Sequence, residues 1–270
     1  MSHPFRDAAL LGVIQGITEF LPISSDGHLA LAELLFKIDE GGLTFNVMLH
    51  AGTLVATALM MREKLGRLIV DGARALPEPK RLSTTAGGRD ALVVLFASLP
   101  TAAIGLLLRD AVERWTESPW VVGLGFAATS LCIVSTMWVK PGTSDVPTPL
   151  GSVLVGIAQG LAVLPGFSRS GATITTAMWL GVRPERAFEL SFLMSLPAVF
   201  GAILLEGRHV IGQPFPVVPA AIGASLAFVT GVVALLFLRR VVIRGRFALF
   251  ALWTVPLTLA TLAMAAVWPP

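Results

Sequence analysis

Leu21-Pro22-Ile23-Ser24-Ser25-Asp26-Gly27-His28 interrupts an apolar stretch that runs from Ala8 to Phe36, and Leu164-Pro165-Gly166-Phe167-Ser168-Arg169-Ser170-Gly171 interrupts a second, from Pro149 to Gly181. Proline, glycine and serine at these points end one helix and start another. Non-helical backbone at membrane depth persists only where protein or a wet cavity satisfies its polar groups. Both stretches therefore read as re-entrant helix-turn-helix hairpins. Their surroundings agree. Only 14 % of the 270 residues are charged and 54 % are hydrophobic, against roughly 25 % charged in a soluble domain, and the mean hydropathy is +0.78. Too few charges remain to coat a water-facing globule. A lone Cys132 cannot close an intrachain bridge. A disordered tail, a secreted disulfide scaffold and a cytosolic enzyme are excluded together, leaving an all-α integral membrane protein.

Six uninterrupted stretches are expected to cross the bilayer, which takes roughly 20 residues: about Thr44 to Met61, Ala91 to Leu108, Trp120 to Val139, Phe188 to Leu205, Val217 to Leu238 and Phe247 to Trp268. Arg62, Lys64, Arg67, Arg74, Lys80, Arg81 and Arg89 fall between the first two spans, and Arg239, Arg240, Arg244 and Arg246 precede the last. By the positive-inside rule both segments are cytoplasmic, the first as a loop over 62–89. Threading from there places Lys140, Arg183 and Arg186 inside as well, and Arg6, Lys37, Arg109, Arg114 and Arg208 outside. The net charge of +3 is thus spent on orientation, and no nucleic-acid partner is expected. No cleavable signal is expected either, because the first apolar stretch carries Gln15 and Glu19 and no small-residue cleavage site follows.

An offset of 144 residues lays one hairpin on the other: Gln15-Gly16 on Gln159-Gly160, Ser24 on Ser168, Gly27 on Gly171, with Pro22 and Pro165 one position apart. At 143, Phe45-Asn46 falls on Phe188-Glu189. Each half reads as a re-entrant hairpin followed by three transmembrane helices. Three is odd, so the second copy lies upside down: an inverted-topology repeat within a single membrane domain, 1–140 and 147–270, with sites near the midplane where the broken helices meet.

The chemistry-bearing residues gather in these breaks. Each is followed by a helix whose first turn has free N–H groups, with Ser24, Ser25 and Asp26 in one and Ser168 and Ser170 in the other as natural N-caps. Two such N-termini aimed at one place would bind an anion, and Arg169 adds a planar fork of donors suited to phosphate oxygens. Glu19 lies one helical turn after Gln15, followed by Ser24, Ser25 and His28. A carboxylate, an imidazole and a hydroxyl pair beside an anion site are the parts of phosphoryl transfer. Ser25 or Ser24 would attack phosphorus, His28 would take or return a proton, Glu19 would orient the imidazole or hold a divalent cation, and Arg169 would stabilise the transferring group.

Plainer roles compete. The serines and glycines also serve as caps and close-packing points, Asp26 as a helix cap, and Glu19 with Arg169 as a structural salt bridge. His50, in mid-span, reads as a hydrogen-bonded helix-contact residue outside the site. Glu189 and Asn46 are expected to pair with hairpin backbone. Trp115, Trp120, Trp138 and Trp268 sit near span ends, as interfacial anchors do.

The segment from Gln15 to His28, together with Pro165-Gly166-Phe167-Ser168-Arg169-Ser170-Gly171-Ala172-Thr173, closely resembles the undecaprenyl-diphosphate phosphatase family, the BacA type linked to bacitracin resistance. The resemblance implies an enzyme that hydrolyses undecaprenyl diphosphate to undecaprenyl phosphate and phosphate, recycling the lipid carrier of cell-wall synthesis. It implies a divalent cation, Mg2+ or Ca2+, held at Glu19, and a multi-pass protein of the inner membrane with its site toward the periplasm. The family's glutamate-rich motif falls on Gln15 and Glu19, its serine pair and histidine on Ser24, Ser25 and His28, and its arginine on Arg169. Gln15, Ser24, Gly27, Ser168, Ser170 and Thr173 are the substrate-binding residues on this likeness, and Glu19, Ser25, His28 and Arg169 the catalytic ones. Asp26 departs from the family, which usually has Thr or Ser there; a second carboxylate beside a diphosphate repels it unless metal-bound, protonated or turned away. A transporter or lipid flippase is the reading from another class, since inverted repeats with broken helices are the architecture of alternating access. Membrane lipid is the expected environment of the substrate tail, and a homodimer is left open.

Overall fold

The computed structural model describes residues 4–36, 43–116, 118–210 and 216–267; the expected outside charge Lys37 and the expected anchor Trp268 lie outside them. All the regular structure among these residues is helical, apart from an isolated bridge between Ser144 and Val182. The first apolar stretch is α1 (Pro4–Thr18), a break, and α2 (Ser25–Phe36); the second is α8 (Pro149–Leu161), a break, and α9 (Arg169–Trp179). At 15, 12, 13 and 11 residues none of the four covers a hydrocarbon core of about 30 Å at a helical rise of about 1.5 Å per residue.

After the first break come α3 (Leu43–Met60), α4 (Arg62–Arg74), α5 (Arg81–Thr84), α6 (Ala86–Thr116) and α7 (Pro119–Ser135). After the second come α10 (Pro184–Val210), α11 (Val217–Ile243) and α12 (Ala251–Val267), with 3-10 turns at Thr136–Trp138 and Phe247–Phe250. Among the described residues five segments are long and apolar enough to cross a membrane: Ala86–Val112, Pro119–Trp138, Pro184–Arg208, Val217–Ile243 and Phe247–Val267. The span expected from Thr44 is the shorter apolar helix Phe45–Met60. Residues 62–89, expected as a loop, instead form α4, α5 and the start of α6, with the Asp71 carboxylate accepting from the Gly87 amide at 3.1 Å. α4 packs on α6, with Gly72 beside Ala91.

Helices from the two halves of the chain pack on one another. α1 lies on α11 and α8 lies on α6, α3 packs on α10, and α7 on α12. Small residues permit this: a Cβ on Gly12 or Gly16 would strike backbone of α11, and one on Gly156 would strike backbone of α6. The outward faces are apolar, with Leu107, Leu131, Val233 and Leu252 all largely exposed, as suits helices whose solvent is lipid. The centre holds Phe20, Phe188 and Phe192, each buried, with ring centroids 5.8 Å and 4.9 Å apart along the series Phe20–Phe192–Phe188.

Candidate active site

Both breaks are built by backbone that cannot stay helical. In the first, Pro22 follows the end of α1, Ile23 N–H donates back to the Leu21 carbonyl at 2.7 Å, and Ser24 takes φ of 67° before α2 begins. A non-glycine residue in that left-handed region costs of order 1 kcal/mol or more and is held only by its surroundings. His28 supplies one restraint: its Nδ1 lies 2.7 Å from the Ser24 carbonyl. In the second break Gly166 takes φ of 83° after Pro165. Thr129 of α7 staples it, its hydroxyl donating to the Gly166 carbonyl at 2.9 Å and accepting from the Ser168 amide at 2.8 Å. Ser168 then caps α9, accepting from Gly171 N–H at 3.2 Å. The breaks touch one another: a Cβ on Gly171 would stand 3.4 Å from that of Pro22.

Their contact brings Glu19 and Arg169 together. Glu19 Oε1 is ion-paired with the Arg169 guanidinium. Its other oxygen, Oε2, accepts from Ser25 Oγ at 2.8 Å and from Gln15 Nε2 at 3.1 Å, and has His50 Nε2 at 3.8 Å. Glu19 and Gln15 are buried, while the Ser25, His50 and Arg169 side chains keep partial access. Asp26 is exposed and within electrostatic reach of Glu19, His50 and Arg169. It stands inside the first turn of α2, one residue past Ser25, and not at the cap position expected of it; a carboxylate there is favoured by the helix dipole.

Other expected residues have different neighbours. The acceptor nitrogen of His28 is taken, Nε2 receiving the Trp253 indole N–H at 3.0 Å with the two rings stacked. The Ser25 hydroxyl donates to Glu19. Gly27 is where the Phe126 ring of α7 presses on α2, leaving no room for a side chain. Ser170 is buried beside Ser168, their hydroxyls 3.3 Å apart. Thr173 is fully buried, donating to the Arg169 carbonyl at 2.8 Å and sharing a hydrogen bond of 2.6 Å with Ser191 of α10, which turns it into helix packing. Glu189 does not pair with hairpin backbone: it pairs with Lys64 at 2.9 Å and with Arg186. Asn46 Oδ1 is buried with no hydrogen-bond partner among the described residues.

For a divalent cation, no group of three or more His, Cys, Asp or Glu that could hold the ion is found among the described residues. A hard cation such as Mg2+ needs no such cage, being held by one or two carboxylates and the substrate's own phosphate oxygens. The Glu19 carboxylate suits that role, and beside it the amide oxygen of Gln15 is buried without a partner among the described residues. The donor set fits.

A family model described as Bacitracin resistance protein BacA matches residues 8–260. The chain belongs to the BacA family. Relatives named undecaprenyl-diphosphatase include one from Korarchaeum cryptofilum, 35 % identical over 265 residues and covering 95 % of this chain and 98 % of its own. One from Desulforapulum autotrophicum is 38 % identical over 253 residues, covering 90 % and 91 %, and one from Trichlorobacter lovleyi is 39 % identical over 244 residues, covering 87 % and 88 %. Three residues of this BacA-family chain acquire a place that sequence reasoning missed: His50 beside Glu19, Thr129 on the second break, and Trp253 on His28. Each comes from a helix remote in sequence. His50 alone carried a signal, as an imidazole in an otherwise apolar span.

Proposed function

We propose that the Glu19–Arg169 cluster is the catalytic centre at which this BacA-family chain hydrolyses undecaprenyl diphosphate to undecaprenyl phosphate and inorganic phosphate, returning the lipid carrier of cell-wall synthesis to use. One observation carries the mechanism: the Ser25 hydroxyl, in the first turn of α2, donates to a carboxylate whose other oxygen is held by a guanidinium in the first turn of α9. Ser25 Oγ attacks the terminal phosphorus and its proton passes to Glu19. The bond from phosphorus to the bridging oxygen breaks, and its electron pair leaves on the lipid monophosphate. Arg169 and the two helix N-termini stabilise charge on the transferring group. Glu19 passes that proton to the departing lipid monophosphate and, a carboxylate again, takes a proton from water as the water attacks the phosphorus of the serine phosphoester. The bond from phosphorus to Ser25 Oγ breaks, Glu19 returns the proton to Ser25, and inorganic phosphate leaves. Because the acceptor nitrogen of His28 is engaged by Trp253, His28 acts by holding the strained Ser24 and not by carrying the proton. When bound, Mg2+ or Ca2+ would be held by Glu19 with the Gln15 amide oxygen at hand and would neutralise diphosphate charge.

The inverted repeat is part of this reading. It is supported by the exchange of packing partners, α1 on α11 against α8 on α6, and by the small residues Gly12 and Gly16 recurring 144 positions on as Gly156 and Gly160. The short flanking helices favour hairpins that return to the side they entered, with the site toward the periplasm and the prenyl tail along the apolar helix faces. That same exchange symmetry favours a second reading, lipid flipping alongside hydrolysis. The test is direct. Purified protein in detergent, given a polyprenyl diphosphate and Mg2+ or Ca2+, releases phosphate, and Glu19→Ala does not. If no phosphate appears while labelled lipid phosphate equilibrates across vesicle leaflets, the hydrolase reading fails and the flipping reading stands.

A further inference from the structure

Away from the catalytic cluster, a second polar assembly occupies the N-terminal ends of two long helices, α6 and α10. Its base is a buried ion network. Arg186 pairs with Asp90 and Glu189, its Nε donates to the Asp145 carbonyl at 3.2 Å, and Lys64 meets Glu189 at 2.9 Å. Above this base opens a cavity of about 110 Å³ lined by Lys64, Arg67, Arg89, Arg183 and Arg186. Asp90 and Asp145 are the carboxylates on its wall, and Asp145 is taken by Arg183 at 2.9 Å. Counting Glu189 behind the wall and Asp71, which bonds the lining Gly87 amide at 3.1 Å, cations still outnumber carboxylates by one. Arg67 and Arg89 are exposed and, among the described residues, have no charged partner within salt-bridge distance.

Positive charge at this end follows from orientation; a concave arrangement around a fixed floor does not. Cations that only repelled one another would splay into solvent, yet Arg186 is buried and locked by two carboxylates. The first turns of α6 and α10 add partial positive charge toward the same space. The assembly is also separate from the catalytic cluster: Phe20, adjoining Glu19, packs on Phe192 and through it on Phe188, adjoining Glu189, and all three rings are buried.

We propose that this cavity is a binding site for a phosphate monoester or inorganic phosphate, distinct from the catalytic centre. A tetrahedral anion is drawn by the net positive lining, and the forks of Arg67 and Arg89, unpaired among the described residues, supply paired donors for its oxygens. One chemistry serves two sources, free phosphate and the headgroup of an anionic phospholipid, and the test separates them. Equilibrium binding of ³²P-labelled inorganic phosphate is measured on purified protein in detergent, and protein capture is measured on vesicles of phosphatidylcholine with and without phosphatidic acid.

Wild type and Arg169→Ala both show one saturable site that Arg67→Gln/Arg89→Gln weakens about tenfold or more, a change of about 1.4 kcal/mol. Arg67→Lys/Arg89→Lys recovers part of the affinity, and an unchanged thermal midpoint certifies the fold of each Arg67/Arg89 variant. Binding of inorganic phosphate identifies the free ion as ligand; selective capture by phosphatidic acid alone identifies the lipid headgroup. Binding of neither probe, or binding of equal strength in the double glutamine variant, overturns the site. Loss of the site in Arg169→Ala with retention in the double variant assigns the phosphate to the catalytic centre and overturns it as well.

Discussion

At the scale of single residues, Glu19 is the pivot, because one carboxylate serves three elements: it takes the Ser25 proton donor of α2, the Gln15 amide of α1 and the Arg169 guanidinium of α9. Ser25 and Ser24 are adjacent but unequal. Only Ser25 donates to Glu19, whereas Ser24 contributes a left-handed backbone and a carbonyl for His28. Ser25→Ala therefore abolishes phosphate release, and Ser24→Ala retains part of it, measured as kcat on a polyprenyl diphosphate. Full activity in Ser25→Ala would leave water as the attacking group. Arg169→Ala confounds catalysis with stability, since stripping one partner from a buried pair costs about 3–5 kcal/mol. Arg169→Lys is the cleaner probe. It keeps the charge and loses the fork, so kcat falls by about 10²-fold or more while the thermal midpoint stays close to wild type. Equal activity with lysine would show that charge alone suffices.

Helix breaks are the elements on which the site depends, and they were legible because proline, glycine and serine interrupt runs that are otherwise apolar. The start of α9 at Arg169 and its Ser168 cap follow from local capping chemistry. What holds the breaks was not legible. Thr129 lies mid-helix in α7 like many membrane threonines, and only packing shows that it staples Gly166 and Ser168. His28 looked like the proton carrier because it follows the serine pair, but its ring faces Trp253 from another helix. Thr173 belonged to the same quoted segment as Arg169, yet one helical turn on it faces α10. Sequence spacing identifies a face only when the neighbour across it is known. Thr129→Val keeps the shape and removes both staples, leaving a buried amide and carbonyl unpaired at about 1–3 kcal/mol. Its thermal midpoint falls and its kcat falls with it, whereas Thr116→Val, on an exposed hydroxyl bonded only within its own helix, changes neither.

For the molecule as a whole, charge is concentrated at two levels, the Glu19–Arg169 cluster and the Lys64–Glu189–Arg186–Asp90 network, with the Phe20, Phe192 and Phe188 rings between adjoining residues. The network was invisible in sequence, because it joins residues from α4, α6 and α10 of which Lys64 and Arg186 read only as inside charges, Glu189 as a partner of hairpin backbone, and Asp90 carries no signal of its own. Arg186→Ala strands the buried carboxylate of Asp90, leaves Glu189 to Lys64 alone, and lowers stability by about 3–5 kcal/mol. Arg239→Ala removes an exposed pair with Glu185 at 3.0 Å and changes stability by at most about 1 kcal/mol. Comparing their thermal midpoints in one detergent checks the contrast. The central claim is that both breaks, 150 residues apart at Glu19 and Arg169, form a single diphosphate site, and a crystal or cryo-EM structure with pyrophosphate bound tests it most directly. The ligand is predicted between the first turns of α2 and α9, with Arg169 on its oxygens and Ser25 facing a phosphorus. Pyrophosphate bound elsewhere, with the Glu19–Arg169 pair untouched, would contradict it.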